Sequence, residues 1–471
     1  MPSREAIDRA FGRYRPLVSS YDAFIDGLLA PRAPVVWAHP ERIDRDALAE
    51  RLAADGVRSA PIAWEPSALR LPRIDKPGRL WTHAAGLFYV QEESSLLPVR
   101  LLDPRPGERV LDLCAAPGSK TARIALALGN RGTVVANDRS AGRLAATTDT
   151  IRRLGLRNVT CTVGDGARFP RTAGHFDKVL VDAPCSAEGA AHRSAVWRRD
   201  RDRSALVGVQ RALLERAIDV CRPGGRVVYS TCTLAPEENE AVVDAVITEA
   251  GGARVVPVDP IEGLALAPAI DRWDGARFSP EVRHAVRVWP HHGAATGFFA
   301  AVIEKDADAR AEERDESTPI DALAVDATAS EVLARFTDQL GLPDDAFAGH
   351  RLLERGQLAR LVPDDHRVPA HVTRVCTGLE VTRNRARSPK LSTAGAMSLG
   401  RAATRQVVQL SVSDAARYLS RESVDLSRAE RVEAERDGYA VARVDAHALG
   451  LGRVVRREGA LVSEFPKAWV R

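Results

Sequence analysis

The chain has 471 residues, too many for one average domain, and 45% of them are hydrophobic, enough to fill more than one core. Its 67 basic and 63 acidic residues leave a net charge of +4, which does not by itself mark a nucleic-acid binder but allows one where the cations cluster. No apolar run approaches the roughly 20 residues of a membrane-spanning helix, and the charged first fifteen residues lack the apolar centre of a secretory signal, so a cytoplasmic protein without a membrane partner is expected.

Residues 1–87 read as a small α+β module. Short strands are predicted at 34–38 and 60–64, with a helix at 44–54 that sets Leu48 and Leu52 four apart on one face. From 88 to 304 the pattern becomes an alternation of strands and helices. Strands are predicted at 109–113, 133–137, 159–163, 178–182 and 226–230, and helices at 120–128, 141–154 and 205–220. Arg222-Pro223-Gly224-Gly225 closes the last helix, and 286–289 with 298–303 reads as a terminal hairpin. The sum is a doubly wound α/β domain. Residues 305–328, rich in Asp, Glu and Ala, read as a solvated linker. The region 329–471 carries a basic stretch (Arg374, Arg383, Arg385, Arg387, Lys390, Arg401) and ends in short glycine-bounded strands at 438–470.

The first strand of the α/β domain runs into Asp112-Leu113-Cys114-Ala115-Ala116-Pro117-Gly118-Ser119-Lys120-Thr121. Small residues between a strand and a helix let a cofactor approach the backbone. The run is not a G-x-G-x-x-G dinucleotide loop and not a Walker A loop, since the upstream glycine is missing and Ser119 separates Gly118 from Lys120. The second strand ends at Asp138, where a carboxylate accepts from a ribose diol. The third ends at Asp165, where one accepts from an adenine amino group. Each of these acids would serve equally as a helix cap or turn residue taken alone, but three successive strand ends favour a nucleoside-bearing cofactor.

Six cysteines without a Cys-x-x-Cys pair fit neither a disulfide framework nor a zinc site, and no metal is expected. Cys161, Cys221 and Cys376 read as inert core residues, and Cys114 as a loop residue that contributes its backbone. Two others stand at the C-terminal ends of parallel strands: Cys185 after Asp182-Ala183-Pro184, and Cys232 within Ser230-Thr231-Cys232-Thr233. Two thiols at one sheet edge suit methylation at C5 of cytosine. One thiolate adds to C6 to make C5 nucleophilic, and the other assists release by general-base chemistry. Asp182 is placed to stabilise charge on the activated base, and Lys120 to favour an ionised thiol. Spacing leaves open which thiol attacks.

The runs Phe88 to Ser95, Asp112 to Thr121, Asp182 to Ser186, Tyr229 to Thr233, Pro236-Glu237-Glu238-Asn239-Glu240, and Arg287 to His291 followed by Thr296 to Phe299 together resemble the Nol/Nop/Sun family of RNA cytosine-5 methyltransferases. The resemblance implies a Rossmann-like, S-adenosylmethionine-dependent methyltransferase domain over 88–304. It makes Cys232 the nucleophile and Cys185 the release cysteine, with Asp182 and Lys120 beside them. It also gives Cys114, Ala115, Ala116, Pro117, Gly118, Ser119, Lys120, Asp138, Asp165 and Asp182 to the cofactor pocket. Two positions depart from the pattern: Ser119 stands where a second glycine is usual, and Ala187 where a glycine commonly follows Pro-Cys-Ser. The ending, with Gly438-Tyr439-Ala440-Val441, Leu449-Gly450-Leu451-Gly452 and Phe465-Pro466-Lys467, is similar to the PUA-like C-terminal domain of RsmF-type enzymes over about 392–471. That likeness implies small-subunit (16S) ribosomal RNA as the target, with both flanks binding RNA and the chain acting as a monomer. The alternatives are a transfer-RNA methyltransferase of the same family and a ribosome-assembly factor that binds RNA without catalysis. A DNA cytosine-5 methyltransferase would carry Pro-Cys-Gln in place of Pro-Cys-Ser.

Overall fold

A computed structural model of the chain describes residues 4–72, 74, 76–191, 203–309, 315–323, 327–355, 358–383, 390–434 and 437–469. Near the N-terminus, α1 (Tyr21–Leu29) is capped by the Ser20 hydroxyl. Then follow β1 (Val35–Ala38), α2 (Arg45–Ala54), β2 (Ala60–Ile62), β3 (Glu65–Arg70) and β4 (Phe88–Gln91). Asp44 caps α2 by accepting from the Asp46 and Ala47 amides, which fixes the helix start predicted from sequence. The four strands form an antiparallel sheet in the order β2-β3-β1-β4. Its last strand comes from residues just past 87, because β4 pairs along the whole length of β1.

The second unit comprises β5 (Arg109–Asp112), α3 (Ser119–Ala127), β6 (Thr133–Asp138), α4 (Ala141–Leu154), β7 (Val159–Val163), β8 (Phe176–Asp182), α5 (Arg203–Val220), β9 (Cys221–Thr231), α6 (Glu240–Ala250), β10 (Ala253–Val256), β11 (Ala267–Pro268), β12 (Val286–Val288) and β13 (Phe298–Lys305). Parallel pairing gives β9-β8-β5-β6-β7, and β13 adds antiparallel to β9 with β12 beyond it, which makes the predicted hairpin. This is the Rossmann-like mixed sheet expected from the sequence. Alternate residues along the strands feed different cores, as a period of two requires. Val110, Leu180 and Val228 lie with Ile124 of α3 and Ile151 of α4. Leu111, Val179 and Val227 lie with Leu214 of α5 and Val243 of α6. Helix α5 stops at Val220 and β9 starts at Cys221, earlier than the strand start predicted at 226. The β8 register shifts there, and Gly224 takes φ +68.

The region after 305 is built into this body. A strand from its middle, β14 (Thr373–Thr377), joins the edge of the central sheet antiparallel to β7. His366 adds a 2.8 Å hydrogen bond to Thr160. The acid-rich stretch is only partly solvated. Ile320 is buried against Val362 and Val368, and Asp315 pairs with Arg109 at 2.8 Å. One aliphatic side chain among acids carries no periodicity, so the sequence did not reveal it. Further on come α7 (Ala327–Leu340), α8 (Thr393–Leu399), α9 (Val412–Leu419) and a six-stranded sheet containing Gly438–Val444, His447–Val455 and Ala460–Ser463. Within the basic stretch, Arg374 is exposed on β14, Lys390 pairs with Glu464 at 2.9 Å, and Arg401 reaches the Glu41 carbonyl at 3.3 Å. Arg385 and Arg387 lie outside the described residues. Among the described residues no helix is long and apolar enough to cross a membrane, and no group of three or more His, Cys, Asp or Glu side chains could hold a metal ion. Cys161, Cys221 and Cys376 are buried, as expected of core cysteines.

Candidate active site

The C-terminal ends of β5, β6, β7, β8 and β9 meet along one edge, where open α/β sheets hold ligands. The loop from Cys114 to Gly118 leaves β5 with a cis Ala116–Pro117 bond and a left-handed Gly118, φ +103. A Cβ on Gly118 would lie 2.9 Å from the Thr147 backbone, so only glycine brings the start of α3 this close to α4. Ser119, the departure from the glycine pattern, follows in helical conformation and needs no positive φ. Asn137 ties three strand ends together: its amide nitrogen donates at 3.2 Å to the carbonyls of Leu113 and of Gly164, and its oxygen accepts from Thr162 at 3.1 Å. Asp138, almost fully buried, accepts from the Ala116 amide at 3.2 Å and the Ser140 amide at 2.9 Å, so the acid fixes the loop it faces. Arg143 pairs with that carboxylate at 3.2 Å and donates to the Ala116 carbonyl at 2.8 Å. Asp165 is exposed and caps a short turn through the Ala167 amide at 3.1 Å. Its side chain therefore does the turn-capping work that was one of its two sequence readings.

The four residues expected to carry chemistry converge. The sulfurs of Cys185 and Cys232 are 3.4 Å apart. Lys120, reaching up from the first turn of α3, donates to Asp182 at 2.6 Å, and the Ser230 hydroxyl holds the other Asp182 oxygen at 2.8 Å. Burial opposes the charge on Lys120, but Asp182 outweighs it and raises the ammonium above its ordinary pKa. The thiols split in opposite directions. The hydrogen bond shared with Cys185 holds Cys232 below the ordinary thiol value against burial and the Asp182 charge, with help from the Lys120 cation. The same hydrogen bond, with burial, pushes Cys185 well above it. Burial also raises Cys114, which leaves that sulfur protonated in the loop.

A second set of side chains fixes the two thiol loops. Glu238 accepts from the Ser186 amide at 3.0 Å and from Gln210 at 2.9 Å, and the Ser186 and Thr233 hydroxyls are 2.7 Å apart. Asn239 accepts from Thr231 at 2.6 Å and donates to the Thr233 carbonyl at 3.1 Å. Glu240 forms a fully buried ion pair with Arg287, whose other arm donates to the Leu234 carbonyl at 3.0 Å. The run Pro236 to Glu240 and the Arg287 motif are thus the scaffold of the Cys232 turn. Residue chemistry alone did not show this, because their partners are distant in sequence. Ser230, buried at the end of β9, carried no separate signal. Ala187 adopts φ +57, a left-handed conformation in which glycine is unstrained, which accounts for the glycine common at this position.

Comparison with known proteins decides what this site belongs to. Residues 99–304 match the model of 16S rRNA methyltransferase RsmB/F. A tRNA (cytosine(49)-C(5))-methyltransferase of Pyrococcus abyssi is 38% identical over 234 residues, 48% of this chain and 73% of that protein. The chain belongs to the RsmB/F methyltransferase family. Ribosomal RNA small subunit methyltransferase F of Erwinia tasmaniensis is 38% identical over 52% of this chain and 51% of that protein. The crystal structure of a methyltransferase homolog protein from Pyrococcus horikoshii superposes with a TM-score of 0.56 and 31% identity, covering 64% of this chain and 95% of that one. The chain spans 35% to 51% of the length of four of the curated relatives it matches. RsmB/F methyltransferases depend on S-adenosylmethionine, and the residues present suit it. The loop has no bulky side chain between Cys114 and Gly118, α3 begins directly after it at this sheet edge, and carboxylates stand at the ends of β6 and β7.

Proposed function

We propose that the chain methylates C5 of cytosine in RNA, with small-subunit ribosomal RNA as the target. The observation that carries this reading is the pair of thiols 3.4 Å apart beside the Lys120–Asp182 ion pair, at the ligand edge of an RsmB/F sheet. In this reading Cys114 to Lys120, Asp138, Asp165 and Asp182 hold the cofactor, which when bound supplies an electrophilic methyl group. The Cys232 thiolate adds to C6 of the base, and the electron pair of the C5–C6 double bond moves to make C5 nucleophilic. Asp182, held by Lys120 and Ser230, faces the polar edge of the ring. After methylation Cys185, which has given its thiol proton to solvent, takes the C5 proton as a thiolate, the C5–C6 double bond re-forms, and the C6–S bond breaks to return Cys232 as thiolate. The hydrogen bond between the sulfurs, beside the Lys120 cation, supports one thiolate shared by the pair, and the family resemblance gives the attack to Cys232 and the proton transfer to Cys185.

The target base must leave its stack to meet two recessed thiols. Residues 1–87 and 329–471, with the PUA-like end over about 392–471, are proposed to hold the surrounding RNA, with phosphate contacts from the basic stretch near 383–401. The ribosomal target is supported by the family model and by the Erwinia relative, and a transfer-RNA target by the Pyrococcus abyssi relative. Bisulfite sequencing of total RNA with and without the gene separates them: a 5-methylcytosine lost from small-subunit RNA supports the first, and one lost only from transfer RNA overturns it. Roles are tested by denaturing gel electrophoresis with RNA and S-adenosylmethionine. Cys185→Ala is expected to accumulate a covalent protein–RNA adduct, and Cys232→Ala to form none. The reverse pattern would exchange the two assignments.

A further inference from the structure

Among the described residues of the first thirty, none carries a group that this chemistry uses, yet they pack onto both thiol loops. Phe11, Tyr14, Phe24 and Leu28 form one buried cluster with Leu234, two residues after Cys232, and with Ala191, six after Cys185. The Tyr14 ring stacks on Trp273 at 6.2 Å, with 22° between planes, and lies 5.9 Å from Phe24. Its hydroxyl donates to the carboxylate of Glu188, and both groups are buried at 0% and 6% exposure. Burial, followed by the Glu188 charge, raises the Tyr14 phenol well above its ordinary pKa, so it stays a donor. Glu188 is three residues beyond Cys185, and the next amide, that of Gly189, donates to the Cys232 carbonyl at 2.9 Å.

We propose that Tyr14, acting through Glu188, is a positioning residue for the release cysteine, an assignment that rests on the reading of Cys185 as the group that takes the C5 proton. The two thiol loops are not anchored alike. Cys232 sits at the end of a sheet strand, its turn held by Asn239 and Arg287. The Cys185 loop has left the sheet at Asp182 and carries a left-handed alanine at 187. It is held by Ser186 on Glu238 and Thr233, and by Glu188 on Tyr14. Losing the Tyr14 tie frees Cys185 to shift while Cys232 stays in place. A misplacement of about 1 Å in a reacting group costs up to roughly a hundredfold. Here the cost falls on proton removal from C5 and spares addition to C6.

The test uses the full chain with target RNA and S-adenosylmethionine, following turnover, covalent adduct and thermal midpoint. Tyr14→Phe and Glu188→Leu are expected to lose about tenfold or more in kcat. Their KM for RNA should be unchanged, and the covalent adduct should accumulate. Glu188→Gln, whose amide oxygen still accepts from the phenol, is expected to stay near the wild-type rate. Three results would overturn the proposal: wild-type turnover in Tyr14→Phe, lost turnover without adduct accumulation, or Glu188→Gln as impaired as Glu188→Leu. Should Tyr14→Phe not fold, the two Glu188 variants decide by the same criteria. If the wild type makes no 5-methylcytosine, or Cys185→Ala makes no adduct, the functional reading itself has failed, whatever the Tyr14 variants do.

Discussion

Lys120 is the cation whose charge bears on the Cys232 sulfur in this site. It is buried, 2.6 Å from Asp182, and its charge helps hold the Cys232 thiol below the ordinary value while Asp182 works the other way. In the proposed mechanism the attacking species is the Cys232 thiolate, so activity should fall as pH drops through the Cys232 pKa, and anything that raises that pKa moves the acid limb to higher pH. Lys120→Met removes the favourable charge and leaves the unfavourable one. The expected result is an acid limb of kcat/KM displaced upward, with a loss of about tenfold at neutral pH for each unit of displacement and partial recovery at alkaline pH. A pH–rate profile measures it, and an unshifted limb would remove Lys120 from control of the thiol. Because the thiols share a hydrogen bond, the limb reports the pair and not one sulfur.

The two thiol loops pack where neither has room for a side chain. A Cβ on Gly189 would stand 2.1 Å from the Gly297 carbonyl oxygen and 2.9 Å from the Cys232 carbonyl. Gly297, in the turn before β13, is equally confined by Leu234 and Gly189. The loop after Cys185, the turn after Cys232 and the start of β13 therefore meet with no room for a side chain between them. Gly189→Ala is expected to destabilise the chain by about 3 kcal/mol, as overpacking does, and to abolish most turnover. Gly208→Ala is the control. Nothing lies within 4 Å of a Cβ there, and the residue is inside α5, so about 1 kcal/mol of stabilisation is expected. Denaturant unfolding of both variants checks the pair. Equal stability would show that the loops yield more easily than their contacts indicate.

On the scale of the whole molecule, the C-terminal region completes the methyltransferase sheet. β14 covers the edge of β7, whose end carries Asp165 of the proposed cofactor pocket, and Ile320 and His366 bury further surface beside it. The N-terminal and C-terminal modules also share a core: Val36, Trp81 and Phe88 lie in one cluster with Val408, Tyr418 and Val444. A chain ended at residue 309 would expose the backbone of β7 and half of that shared core. It is expected to aggregate or to melt about 10 °C or more below the full chain, measured by light scattering and thermal unfolding. A monomeric fragment with the full-length melting temperature would show instead that the modules are independent.

The amino-acid order by itself determined the alternating strands and helices from β5 to β9, the β12–β13 hairpin, the small-residue loop after β5, and the placing of Cys185 and Cys232 at strand ends, though not α6, β10 and β11. These depend on local signals: continuous apolar runs for strands buried on both faces, 3.6-residue periodicity for helices, and small or glycine residues at the strand-to-helix turn. It also marked Pro236 to Glu240 and Arg287, though not what they do. Only the tertiary structure decided that the sulfurs meet beside the Lys120–Asp182 ion pair, and that Asp165 caps a turn while Asp138 fixes its loop. It alone placed β14 on the catalytic sheet and Tyr14 on Glu188. Those facts depend on contacts between residues tens to hundreds of positions apart, where local propensity and spacing carry no information and only the packing of the cores brings the groups together.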